Sequence, residues 1–210
     1  MKMFPARTLI SWLVVSLGVG SLLLLWTNLA EAKVSTPTSS TATAAKQLWN
    51  NVLPQRLTYI QEGHHGPILY DFQDPNCPYC HIMYAHEAPL IKAGKLTVRY
   101  VPVAILTPQS PEEAAAWLQS ADPESALKHF EHMVGPALRT GNYAKLPKAE
   151  PTAITRKELK ANLQMMTALG FDGTPAMLYE SKNDQIGRIP GMISEKELAE
   201  LLPQLQKRAP

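Results

Sequence analysis

The residues able to do chemistry are concentrated in Asp74-Pro75-Asn76-Cys77-Pro78-Tyr79-Cys80-His81, which contains both cysteines of the chain, separated by two residues. Proline is favoured at the first position of a helix, where its missing N–H would be unpaired anyway, so Pro78 predicts that Cys77 sits at a helix N-cap. There the sulfur meets the free N–H groups of the first turn and the positive end of the helix dipole, both of which stabilise an anion. The expected consequence is a lowered thiol pKa, making Cys77 the nucleophile of thiol–disulfide exchange at neutral pH. Cys80, one turn further in, is then the shielded resolving thiol.

Three other uses of the pair compete with this one. A structural disulfide closing so short a loop removes only about 2 kcal/mol of chain entropy, less than a longer loop would. Zinc needs three or four ligands at workable spacing, and the chain has no second cysteine pair. Cys77-Pro78-Tyr79-Cys80-His81 also matches C-x-x-C-H, the attachment pattern of c-type haem, with His81 as axial ligand. Eight methionines leave the second axial ligand open. Against haem stand the strand-like run Ile68-Leu69-Tyr70-Asp71-Phe72 leading into the motif and the Thr174-Pro175 pair far downstream. The expectation is a protein with no cofactor and no metal, with a haem protein as the alternative.

Composition is that of a globular domain, 45% apolar and 18% charged, with a net charge of +2 that gives no reason to expect nucleic acid as a partner. Lys2 and Arg7 precede an apolar run at residues 9–26, and Ala30-Glu31-Ala32 has the small-x-small form of a signal-peptidase site. Residues 1–32 are therefore read as a signal peptide, or as an uncleaved anchor with its basic end in the cytoplasm. Either places the cysteines in a compartment where disulfides form and persist. Residues 33–46, rich in Ser, Thr and Ala, read as a flexible linker.

The elements that must position the motif follow from periodicity and punctuation. Apolar residues from Leu48 to Ile60 recur at helical spacing, split by Pro54. A strand at 68–73 feeds the helix that starts at Pro78 and runs to about 93, bent at Pro89. A second strand covers 96–105. Helices are expected at 110–120 and 122–134, a loop at 135–152, and a third helix capped by Thr155 and reaching about 169. A hairpin pairs 176–180 with 185–189, and a final helix at 194–207 opens with a Ser194/Glu197 capping box.

With these elements in place, the chain resembles the catalytic domain of the DsbG/DsbC branch of periplasmic disulfide interchange proteins in the thioredoxin superfamily. The resemblance rests on Phe72-Gln73-Asp74-Pro75 before the cysteines, Pro89, Gly94-Lys95, Pro108-Gln109-Ser110-Pro111, Ala114-Ala115-Ala116, Asp122-Pro123, Leu169-Gly170 and Thr174-Pro175-Ala176. It implies an α/β, thioredoxin-like fold over residues 47–208 with an all-helical insertion at about 108–170. It also implies an exported thiol:disulfide oxidoreductase in which Cys77 attacks, Cys80 resolves, Pro78 and Tyr79 shape the pair, and a cis Pro175 packs opposite with the Thr174 hydroxyl near Cys77. Partners implied are exported proteins with cysteines and a membrane-bound disulfide reductase.

Two departures qualify the resemblance. That branch usually has an apolar residue six before the first cysteine; here it is Asp71, as in thioredoxin and DsbA, where a buried acid could take the proton from Cys80. The segment before residue 47 is too short for the family's dimerisation domain, so a monomer with weak isomerase activity is expected. His81 is expected to tune the site's electrostatics. His64, His65, His129 and His132 are read as solvated, and Met165-Met166 as helix packing.

Overall fold

The computed structural model describes residues 39–207. The expected leader at 1–32 and the first linker residues lie outside these. Among the described residues no helix is long and apolar enough to cross a membrane. Where composition suggested linker up to residue 46, Ser39–Gln47 forms helix α1. Ala42, Ala44 and Ala45 supply the helix propensity that a tally of polar residues overlooked.

A five-stranded sheet carries the domain: β1 (Ile60–Glu62), β2 (Ile68–Gln73), β3 (Thr97–Pro102), β4 (Ala176–Glu180) and β5 (Ile186–Pro190), in the order β1-β3-β2-β4-β5. Only β2 and β3 pair in parallel. Parallel neighbours need a crossover, and helix α3 (Pro78–Lys92) provides it. The site helix is therefore fixed at both ends to the central strands. β1 was not expected. Ile60 continues the helical spacing of the preceding segment, but it pairs antiparallel with Tyr100 at the sheet edge.

Alternation along the strands gives each face its own core. Leu69, Val98, Tyr100 and Met177 face α3 and pack with Met83, Trp117, Leu127, Phe130 and Leu198. Tyr70, Phe72, Val101, Ala176 and Leu178 face the other way, with Trp49, Leu53, Met166 and Phe171. Trp49 lies on a π-helical turn (Leu48–Val52) before α2 (Leu53–Arg56) and meets Tyr70 edge-on at 5.3 Å. This segment thus packs on its own domain.

Between β3 and β4 lie α4 (Ser110–Leu118), α5 (Pro123–Thr140) and α6 (Ala153–Ala168), the expected helical insertion. α5 runs past the predicted end near residue 134, through Gly135 and Pro136, to a left-handed Gly141 cap. Leu127, Phe130, Val134 and Ala137 form one buried stripe that continues across the proline, and its burial outweighs the missing hydrogen bond. α6 is capped by Thr152 rather than Thr155. The Thr152 hydroxyl accepts from the Thr155 N–H at 3.1 Å, and the Thr155 hydroxyl donates instead to Gln119 at 2.8 Å. The chain closes with α7 (Glu195–Leu201), opened by the Ser194/Glu197 capping box, and ends in a 3₁₀ turn rather than a helix to 207.

Candidate active site

Cys77 is the N-cap of α3, with extended backbone (φ −88°, ψ 109°) and Pro78 in the first turn. Its sulfur accepts the Cys80 backbone N–H at 3.2 Å and lies 3.3 Å from the Thr174 carbonyl. Hydrogen bonding from the Cys80 thiol, the contact with Thr174, the Cys80 N–H and the charge of His81 together outweigh burial and lower the Cys77 pKa to about 6. Cys80 is fully buried, and burial, with the neighbouring Cys77 and Asp71, pushes its thiol far up. Both are free thiols. One is poised to ionise and the other to keep its proton.

The loop before the motif is held by Asp74, a residue quoted in the sequence but given no role there. Its Oδ2 accepts from the N–H groups of Ile105 and Leu106 at 2.7 and 3.0 Å, and its Oδ1 from the Asn76 N–H and the Ser110 hydroxyl at 2.9 and 2.8 Å. The Asn76 amide in turn donates to Ser110 and to buried Glu113. A carboxylate with four donors is well satisfied, and the approach to Cys77 is tied to the start of α4. A run of Asp-Pro before the cysteines and Ser-Pro at a helix start were the signals that could have found this network.

The Thr174-Pro175 bond is cis, and the Thr174 carbonyl touches the Cys77 sulfur from β4's leading edge. The Pro175 carbonyl accepts from Gly191 at 2.8 Å. Tyr79 is 60% exposed on the first turn of α3. Exposed Ile82, Leu106 and Met192 belong to the same helix turn, the Asp74-bound loop and the Gly191 turn.

Asp71 is fully buried on β2, on the same face as Leu69. Its Oδ2 accepts from Gln73 at 2.7 Å and its Oδ1 has no partner. Burial, together with the charges of Cys77 and Glu131, raises its pKa well above the carboxylate range despite the Gln73 bond. His81 is buried, with Nδ1 on Glu131 and Nε2 on the Pro75 carbonyl. Neither ring nitrogen is left for a haem iron, so His81 does not fit the axial-ligand role and the haem alternative is set aside. Glu131, on α5, was missed: its contact with His81 spans half a hundred positions and leaves no local pattern. His64, His65, His129 and His132 are exposed, and Met166 packs in the core.

Comparison with known proteins agrees with this geometry. The family model of the thioredoxin-like domain matches residues 54–206. The chain belongs to the thioredoxin-like domain family. It is 32% identical over 163 residues to the thiol:disulfide interchange protein DsbG of Pseudomonas aeruginosa, covering 77% of this chain and 60% of that one. DsbG of Escherichia coli K12 is 29% identical over 162 residues, covering 75% and 61%. The chain thus spans about three fifths of the length of these curated relatives. Among solved structures, the catalytic domain of Proteus mirabilis ScsC is similar with a TM-score of 0.56 at 22% identity, over 78% of this chain and 95% of that one. A periplasmic thioredoxin-like protein from Salmonella enterica serovar Typhimurium gives 0.53 at 22% identity, over 80% and 97%. The thioredoxin-like fold with its helical insertion is the architecture the sequence led us to expect.

Proposed function

We propose that this protein is an exported thiol:disulfide oxidoreductase acting on the cysteines of periplasmic proteins through Cys77 and Cys80. The observation that carries the proposal is the asymmetry of the pair: Cys77 at a helix N-cap with its pKa lowered to about 6, Cys80 buried with its pKa raised. In the reducing direction the Cys77 thiolate attacks one sulfur of a substrate disulfide. A mixed disulfide forms and the other substrate sulfur leaves as thiolate. Asp71, whose raised pKa makes its ionised form a strong base, takes the Cys80 proton when in that form, and Cys80 attacks the Cys77 sulfur, expelling the second substrate thiolate. The protein is left with a Cys77–Cys80 disulfide and the substrate has gained two electrons; oxidation of a substrate dithiol runs the same steps backwards.

The exposed Tyr79, Ile82, Leu106 and Met192 supply an apolar rim suited to an unfolded or flexible substrate segment. Pro175 and the Thr174 carbonyl, against the Cys77 sulfur, offer its backbone an edge. The similar proteins, thiol:disulfide interchange proteins and a periplasmic thioredoxin-like protein, support the compartment and the chemistry. A membrane-bound disulfide reductase is the partner that would return the pair to dithiol. The burial of Trp49 within its own domain supports a monomer.

The test is trapping. Cys80→Ser should accumulate mixed disulfides with periplasmic proteins through Cys77, and Cys77→Ser should abolish them. Equal trapping by both variants, or by neither, would contradict the assignment of attacker and resolver.

A further inference from the structure

His81 lies between two acceptors. Its Nδ1 is 2.9 and 3.1 Å from the two carboxylate oxygens of Glu131, and its Nε2 is 3.0 Å from the Pro75 carbonyl. A neutral imidazole has one N–H and one lone pair. Whichever tautomer formed here, its lone pair would point at an oxygen. Opposite a carboxylate and a carbonyl, neither of which can donate, only the imidazolium, with two N–H donors, satisfies both neighbours. The side chains of His81 and Glu131 are 7% and 5% exposed, which leaves little room for water to exchange the roles. The Phe130 ring, 6.2 Å away, covers the pair.

We propose that His81 is a positioning residue held permanently as imidazolium by Glu131 of the helical insertion, and that its charge and its grip on Pro75 keep Cys77 in the thiolate form. This rests on the proposed thiol chemistry and names the part of the molecule that sets it. Two separate contacts then hold the loop leading to Cys77: the Asp74 carboxylate fastens it to α4, and His81 fastens it to α3 and, through Glu131, to α5. The titratable groups acting on His81 are Glu131 from α5 and Cys77 from the start of its own helix. Burial disfavours the cation, but the bond to Glu131, its charge and the Pro75 carbonyl outweigh it and raise the His81 pKa above the ordinary value. A cation so placed favours the nearby anion, and His81 is among the groups lowering Cys77. The insertion thereby reaches the reactive sulfur without touching it.

Two measurements on the reduced full-length protein test this, and neither needs a substrate. Nuclear magnetic resonance of the His81 ring should show both nitrogens protonated at neutral pH; a neutral ring there overturns the proposal, and this reading requires no variant. Thiolate absorbance against pH should place the Cys77 midpoint near 6. His81→Gln and Glu131→Gln should each raise it by roughly one pH unit, a tenfold loss of thiolate at low pH. Glu131→Asp, which keeps the charge, should move it much less. An unchanged midpoint in a folded His81→Gln protein overturns the proposal. Normal titration with failed trapping would instead strike at the oxidoreductase reading alone.

Discussion

The two faces of the central sheet are built on opposite terms. On the face toward α2 and α6 the core is apolar, and its one buried amide, Asn162, is fully used: it accepts from the Thr58 N–H at 3.0 Å and donates to the Thr58 and Pro102 carbonyls at 2.8 Å each. On the face toward α3 the apolar core is shared with Asp71, Gln73, Glu87 and Tyr100; Asp71 Oδ1 and Gln73 Oε1 lack hydrogen bonds, and the Glu87 carboxyl is buried beside the Tyr100 hydroxyl. Buried polar atoms without partners each cost stability. Most of these atoms lie on the side that carries the cysteines, so one face chiefly holds the fold and the other gives up stability to the electrostatics of the site.

The largest expected effect breaks the apolar face. Phe72 is fully buried and packs near Phe171 at 6.1 Å. Phe72→Ala should lower the unfolding free energy by about 3–5 kcal/mol in urea denaturation. On the acidic face the sign reverses: Glu87→Met, close in volume, removes a fully buried carboxyl whose desolvation outweighs its contact with Tyr100 and should raise stability by about 1–3 kcal/mol. A loss of similar size in that variant would show that Glu87 has partners that hold the fold.

A smaller effect sharpens the comparison through pH. Burial raises the pKa of both Glu87 and Asp71 well above their ordinary values of 4.5 and 3.8. Above about pH 4.5 the unfolded chain has released these protons while the folded one retains them, so stability must fall as pH rises. Between pH 4.5 and 6 the Cys77 thiol, with its pKa near 6, adds little of the opposite slope. The denaturation midpoint of the reduced protein should therefore drop across that window, and Glu87→Met should flatten the drop. A rising midpoint would contradict the burial of these acids as neutral groups.

Local rules made much of the site legible. Pro78 announced the N-cap at Cys77, and Ser194 with Glu197 announced the capping box of α7, because each signal lies within one turn of its effect. The place of Asp71 on the strand leading into the motif was also readable, and its burial follows from both faces of β2 being covered, since every residue from Leu69 to Gln73 is buried. What stayed hidden depends on contacts between distant segments. The Glu131 partner of His81 exists only once α5 folds over α3, and the Asp74 network only once the 105–110 segment returns to the motif. β1 was missed because three residues paired at an edge carry too little periodicity to oppose the helical pattern before them. The helical extension past Gly135 was hidden by residues that usually end helices, and the apolar stripe of α5 decided otherwise.

The central claim is that the sheet's acidic face and the helix N-cap divide two chemically identical thiols into an anion and a retained acid. Alkylation of the reduced protein across pH, with the modified cysteine mapped by mass spectrometry, tests it most directly. Labelling should be confined to Cys77 with a midpoint near pH 6, with Cys80 unlabelled while the protein stays folded. Comparable labelling of both cysteines, with a common midpoint near the ordinary thiol value of about 8.5, would contradict it.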